Sequence, residues 1–397
     1  MARTEALAHE PWVQARQRDD FSLFAPWLEK LIKLKREWID AVGYEQDPYD
    51  ALLEEYEPGT RAAELEELFN GLCPPLTRLI DRVLGSPRHR PEQQFEGFFA
   101  ADRQRELSVQ VATELGFDFT RGRLDTSVHP FCAGLAECDV RVTTRYKSCN
   151  PIEGLLSVVH EVGHGMYAQG LRPEHRGTPM AWPASYAVHE SQSRWWENFL
   201  GRSRPFWARY LPRMQAMFFD QLRDFELDSF LLAVNRVRRS LIRTEADEVS
   251  YNLHIAVRLE IERALLAGGL AVADVPDAWN ERMARYVGVR PTRHCDGSLQ
   301  DIHWSMGAFG YFPSYTLGNI YAAQLHWRLT RDIPDWERRV EAGQFAELLE
   351  WMRSHIHHYG SFYPPRELIE RATGQQPDSR FLIEYLESKY GELYGLS

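Results

Sequence analysis

Apolar residues three and four positions apart dominate the chain. In DFSLFAPWLEKLIKLKREWIDAVG, Phe24, Trp27, Leu28, Leu31, Leu34 and Trp38 fall on one side of a 3.6-residue repeat, and Gly43 follows as a stop. The same period runs through TRAAELEELFNGL, SYNLHIAVRLEIERALLAGG and the C-terminal DSRFLIEYLESKYGELYG. It also runs through MQAMFFDQLRDFELDSFLLAVNRVRRSLIR, which reads as one long helix ending at Arg243. One stretch breaks the rule. In DVRVTTRY, residues 139 to 146, Val140, Val142, Thr144 and Tyr146 alternate with polar residues, and β-branched types prevail. With the preceding FDFTRGRLDTSVHPF it predicts a small sheet in a mainly α protein.

At 397 residues the chain has room for more than one core, yet no Pro/Gly/Ser-rich linker divides it. We expect one large body over residues 1–397, of one or two lobes. A net charge of −11 argues against general binding to nucleic acid or an anionic membrane, both of which require a basic surface. No apolar run approaches bilayer length, and MARTEALAHEPWVQ lacks the apolar core of a secretory signal, so a cytoplasmic setting is expected. The five cysteines include no C-x-x-C pair, which fits reduced structural thiols.

The chemistry concentrates in SVVHEVGHGMY. Asn150 as N-cap, Pro151 at N1, Glu153 at N3 and Gly170 as a stop predict a helix, which puts His160 and His164 on one face. Imidazoles one turn apart fill two corners of a tetrahedral Zn²⁺ site, and Glu161 beside them reaches a water at an open corner. The alternative is a core helix carrying two satisfied histidines. That would set two imidazoles and an acid among Leu155, Leu156, Val158, Val159 and Val162, where unpartnered burial is unfavourable.

A catalytic ion takes a third protein ligand. The H-E-x-x-H-x-x-G-x-x-H class is excluded, because Tyr167 and Gly170 stand where its glycine and third histidine belong. Glu174, His175, His189, Glu190 and Glu197 are the nearby candidates, the last three on a second expected helix opened by Pro183 and closed by Gly201. Glu190 is favoured, since Ala187 and Ser193 flank it with small side chains that admit a neighbouring helix. Glu197 on the same face is the second choice.

At this point the sequence resembles the M32 metallocarboxypeptidases, of which the thermostable Taq-type enzymes are members. The resemblance covers nearly the whole chain and rests on HPF (129–131), DVRVT (139–143), HEVGH (160–164), HESQ (189–192), IRTEAD (242–247) and GSLQDIHW (297–304), in that order. It implies a neurolysin-like helical zincin fold with a long substrate groove and a small β-sheet near the metal helix. It implies His160, His164 and Glu190 as metal ligands and Glu161 as general acid/base. The activity implied is removal of single residues from peptide C-termini. Members are commonly homodimers, and they usually carry an additional helical segment upstream of the part at which this chain begins, so this is expected to be a short member.

Further roles follow from the reaction. A tetrahedral oxyanion needs donors, and QDIHWSMGAFGYFPSYTLG offers His303, Tyr311 and Tyr315; by analogy with related helical zinc peptidases, His303 and one tyrosine are assigned to it. A free C-terminal carboxylate suits the planar fork of arginine, which makes Arg141 and Arg243 the substrate-binding candidates. Asp139, Asp247 and Asp301 are expected to orient these groups, and His129 and His189 to act behind the ligands or as core histidines. An N₂O donor set admits Zn²⁺, with Co²⁺ or Mn²⁺ in its place. The partners expected are peptides with a free C-terminus. Two alternatives stay open, an oligopeptide endopeptidase and a non-catalytic metal-containing binding or regulatory protein.

Overall fold

The Ala25–Val42 helix forms where its periodicity put it and stops at Gly43, whose φ of 84° a side chain would resist. Its buried stripe is Leu28, Leu31, Ile32, Lys35 and Ile39, with Trp27, Leu34 and Trp38 half-buried at the margins. The computed structural model describes residues 1–90, 95–128 and 130–396, so His129 of the HPF motif lies outside the described residues. Two units make up the chain, Met1–Ser86 with Val237–Thr316, and Pro87–Arg236 with Leu317–Ser397. Both are mainly helical, and no helix among the described residues is long and apolar enough to cross a membrane.

In the first unit, the Ala25–Val42, Ala62–Leu84 and Val275–Tyr286 helices pack with Tyr251–Ala267, which is buried on nearly every side. Leu253, Val257, Ile261 and Leu265 supply its apolar contacts. His254, Arg258 and Glu262, four residues apart and fully buried, form a polar line along one face.

The second unit holds the sheet. Strands β1 (Gly122–Thr126), β2 (Cys132–Ala136) and β3 (Asp139–Thr144) are ordered β1-β3-β2, with β3 parallel to β1 and antiparallel to β2. Val140 and Val142 are fully buried, and the space above Val140 is shared with Gly165 of the Pro151–Gly170 helix. The sheet therefore backs that helix, as the alternating pattern implied.

The expected long helix through residues 214–243 is not continuous. Arg204–Met217 ends at Phe218, Phe219–Leu222 is a single turn, and Leu227–Val234 is followed by irregular chain. Side-chain amides hold the breaks open. Gln215 Nε2 donates to the carbonyls of Leu222 and Phe225, and Asn235 Nδ2 to those of Arg202 and Leu231. Arg243 thus lies not at a helix end but on a separate 3₁₀ turn, Arg243–Glu245.

Candidate metal centre

Asn150 caps the HEVGH helix by accepting from the backbone N–H of Ile152 and Glu153, with Pro151 at the first helical position. Gly170 is its last residue, for a reason the sequence did not disclose. A Cβ there would sit 2.5 Å from Nδ1 of His357, so the glycine makes room for a buried ring rather than for a left-handed cap. The second helix begins at Tyr186, capped by Ser185 and not by Pro183, and runs to Arg194. It continues as a π-helical segment, Trp195–Leu200, to Gly201. The two helices touch at Gly163, where a Cβ would lie 2.7 Å from Ser193 Cα and 3.0 Å from the Gln192 carbonyl. Gly318 does the same for Glu190 from the other side, its missing Cβ lying 2.7 Å from Glu190 Cγ.

This close packing brings together His160, His164 and Glu190, whose donor atoms all lie within 4.8 Å of one another. Glu190 Oε2 is 3.5 Å from His164 Nε2 and 4.0 Å from His160 Nε2. A tetrahedral ion with bonds of roughly 2.1 Å separates its ligands by about 3.4 Å, so the three residues fit a divalent metal after a small inward shift. The other ring nitrogens are tied back. His160 Nδ1 lies 2.9 Å from Glu197 Oε2, and His164 Nδ1 lies 3.1 Å from the His189 carbonyl, which leaves both Nε2 lone pairs facing Glu190. Glu197 is thus the partner of a candidate ligand. His189, half-buried, stacks its ring on His164 at 4.3 Å. Glu174 is exposed and His175 half-buried on the 3₁₀ turn Pro173–His175, and neither belongs to the three-donor group.

Arg194 binds both carboxylates, through Nε to Glu190 Oε1 at 2.7 Å and Nη1 to Glu197 Oε2 at 3.4 Å, and Arg202 adds a second cation to Glu197. Burial pushes the Glu190 and Glu197 carboxyls up, but Arg194 and the histidines outweigh it and hold both below the usual carboxylate range. Burial disfavours a charged His160, yet the Glu197 contact and the surrounding carboxylates raise it overall. Glu161 is buried and makes no hydrogen bond or ion pair to another described residue. Burial raises its carboxyl against the pull of His160 and His164, as suits a proton acceptor.

The remaining candidates fall into two groups. In the first unit, His303 Nε2 meets the Tyr315 hydroxyl at 3.2 Å, and Tyr311 packs edge-on against Tyr315 at 5.2 Å. Arg243 lies over Tyr315 and donates to Asp301 Oδ1 through Nε and Nη2, at 3.0 and 2.8 Å, and to the Tyr251 hydroxyl. Asp301 also accepts from fully buried Arg258 and lies 4.0 Å from His303 Nδ1. Asp247 orients no arginine side chain; it accepts from the backbone N–H of Arg238, Val249 and Ser250. Arg141 stands alone in the second unit. Alternation along β3 turns Val140, Val142 and Thr144 to the HEVGH helix and Arg141 to the opposite, exposed face, where Asp139 takes its fork at 3.0 and 2.8 Å. Sequence reasoning missed Arg194 and Gly163 as parts of the centre, although an arginine four residues after Glu190 was a readable signal.

HEVGH and HESQ thus meet in one cluster, and IRTEAD and GSLQDIHW in another, while Arg141 of DVRVT stands apart on β3. Comparison with known proteins agrees. The family model described as Carboxypeptidase Taq (M32) metallopeptidase matches residues 1–390. Thermostable carboxypeptidase 1 of Thermus thermophilus is 44% identical over 404 residues, covering 100% of this chain and 79% of that protein. Carboxypeptidase 1 of Bacillus subtilis is 41% identical, over 98% of this chain and 77% of its own length. The crystal structure of the M32 carboxypeptidase from Deinococcus radiodurans superposes with a TM-score of 0.95 at 40% identity, over 99% of this chain and 79% of that one. The chain belongs to the Carboxypeptidase Taq (M32) metallopeptidase family and is a metallocarboxypeptidase.

Proposed function

We propose that this enzyme removes single residues from the free C-terminus of peptides with broad side-chain specificity, using Glu161 as general base. The observation that carries the reading is a buried carboxylate, unengaged by donors of the described residues, beside a three-donor centre whose imidazoles are held from behind. A divalent ion bound by His160, His164 and Glu190, with Zn²⁺ the default and Co²⁺ or Mn²⁺ in its place, supplies Lewis acidity to the water and the scissile carbonyl. Glu161 takes the proton of the attacking water and hands it to the departing amine. His303 with Tyr311 or Tyr315 donates to the oxyanion.

Each arginine is paired with an aspartate, but Arg243 is the better candidate for the substrate carboxylate, because it sits among aromatic rings in the His303 cluster, whereas Arg141 lies on the exposed outer face of the sheet. The family resemblance supports one catalytic domain over residues 1–397, a homodimer and a cytoplasmic setting. Metal content and residue release are to be compared for wild type and Glu161→Gln, on a free-acid peptide and its C-terminal amide. One metal in both proteins, with trimming of the free acid by wild type alone, is expected. Metal-loaded wild type that cleaves neither peptide would instead mark a binding protein, and cleavage of the amide an endopeptidase.

A further inference from the structure

The Tyr251–Ala267 helix carries a buried acid that the reaction does not use directly. Glu262 is fully buried and forms no ion pair among the described residues, yet three donors converge on it. Oε2 accepts from the Tyr49 hydroxyl at 2.6 Å and the Gly310 N–H at 3.0 Å, and Oε1 accepts from the Trp304 indole at 2.8 Å. Trp304 directly follows His303 in the chain, and Gly310 directly precedes Tyr311. One carboxylate thus ties down both ends of the 304–310 turn, and the two proposed oxyanion donors leave from those ends. The turn is pressed home as well. Gly310 has a φ of 86°, and a Cβ there would lie 2.8 Å from Leu52 Cβ, on the Pro48–Leu53 helix that also brings Tyr49.

One turn earlier on the same face, Arg258 holds Asp301, which in turn holds Arg243. A single helix face therefore backs both the candidate carboxylate-binding arginine and the candidate oxyanion donors.

We infer that Glu262 is a positioning residue for the peptidase reaction, fixing His303 and Tyr311 by clamping Trp304 and Gly310. The inference rests on the assignment of His303 and a tyrosine to the oxyanion. An ionised carboxylate offers only acceptors, which matches three donors; an amide of the same size does not. With its oxygen toward Tyr49 and Gly310, a glutamine points its NH₂ at the Trp304 indole. Flipped, it points the NH₂ at the Gly310 N–H. One donor loses its partner either way.

The test uses the metal-loaded chain at about pH 8, where Glu262 is ionised. Glu262→Gln is expected to lower kcat about tenfold or more on a free-acid peptide, with KM and the Co²⁺ absorption spectrum unchanged. Amide exchange across residues 303–315 of the metal-loaded variant should rise above that of the metal-loaded wild type. His303→Ala should cost less in the Glu262→Gln background than in wild type, because the clamp and the donor act as one unit. Trp304→Phe, which removes one of the three bonds and keeps most of the ring, should move kcat and exchange in the same direction and serves if the glutamine variant does not fold. A Glu262→Gln enzyme within twofold of wild-type kcat, or effects of Glu262→Gln and His303→Ala that simply multiply, would overturn the inference. If His303→Ala, Tyr311→Phe and Tyr315→Phe are each fully active, the oxyanion assignment fails and takes the inference with it. A damaged His303→Ala beside a normal Glu262→Gln sinks the inference alone.

Discussion

Replacing Gly163 with alanine adds one carbon where the two helices that carry the candidate ligands touch. That carbon would lie 2.7 Å from Ser193 Cα, 3.0 Å from the Gln192 carbonyl oxygen and 3.2 Å from the Ser193 nitrogen, all backbone atoms that no rotamer change moves away. Comfortable carbon–carbon contact is about 3.5–4.0 Å, so the helices must part by about 1 Å. His164 and Glu190 face each other across this contact with donor atoms 3.5 Å apart, while metal–ligand distances tolerate about 0.2 Å. Overpacking costs about 1–3 kcal/mol, offset by about 1 kcal/mol of helix propensity gained on leaving glycine. The fold should therefore lose little, and the metal centre much more. Cobalt titration of the metal-free variant, with a competing chelator, should show affinity reduced on the order of 10–100-fold, the scale seen when metal-ligand support is disturbed. Its metal-free thermal midpoint should fall by only a few degrees. A Gly163→Ala protein that binds Co²⁺ within threefold of wild type with an unaltered spectrum would show that the close approach does not set the ligand geometry.

Glu197→Gln keeps the shape but removes the charge behind His160; metal affinity should fall on the order of tenfold or more, read by the same titration, while Glu190 stays paired with Arg194. Arg243→Lys should raise KM for free-acid peptides far more than for any amide cleaved, and an equal effect on both would remove Arg243 from carboxylate recognition. Burial lifts the Glu262 carboxyl from 4.5 to about 7 against the pull of its three donors and of Arg258. Between about pH 4.5 and 7 folded Glu262 therefore holds its proton where the unfolded chain has released it, and above about pH 7 it is the carboxylate that its three donors fit. Its contribution is fully favourable below about pH 4.5 and is lost as pH rises through 7, by about 3 kcal/mol. Denaturant unfolding of wild type and Glu262→Gln across that range should show the stability difference drifting with this sign, and a flat difference would mean that the three donors keep the group ionised.

The HEVGH helix was legible because its signals are local. Asn150, Pro151 and the 160/164 spacing act within one or two turns, and the structure uses them as the sequence suggested. The boundaries that failed depend on distant atoms. Gly170 ends the helix against His357, the second helix takes Ser185 as cap, and the 214–243 stretch breaks where Gln215 and Asn235 offer carbonyls other partners. Glu190 and Glu197 share a helical face, and periodicity does not say which stands level with two histidines on another helix. Arg141 is similar. Alternation sorts β3 into two faces, but only the packing of the helix shows which face is covered.

The centre also has a timetable. His160, His164 and Glu190 lie close together in sequence, but Gly318, which packs on Glu190, and His357, which fills the space left by Gly170, come after the whole 237–316 excursion into the other unit. At typical synthesis rates, that gap delays Gly318 by on the order of ten seconds after Glu190 leaves the ribosome. A nascent chain thus displays its candidate ligands, with Gly163, Arg194 and Glu197 already beside them, well before the glycine that packs on Glu190 exists, and the packing of the centre is completed only after residue 318 has been made.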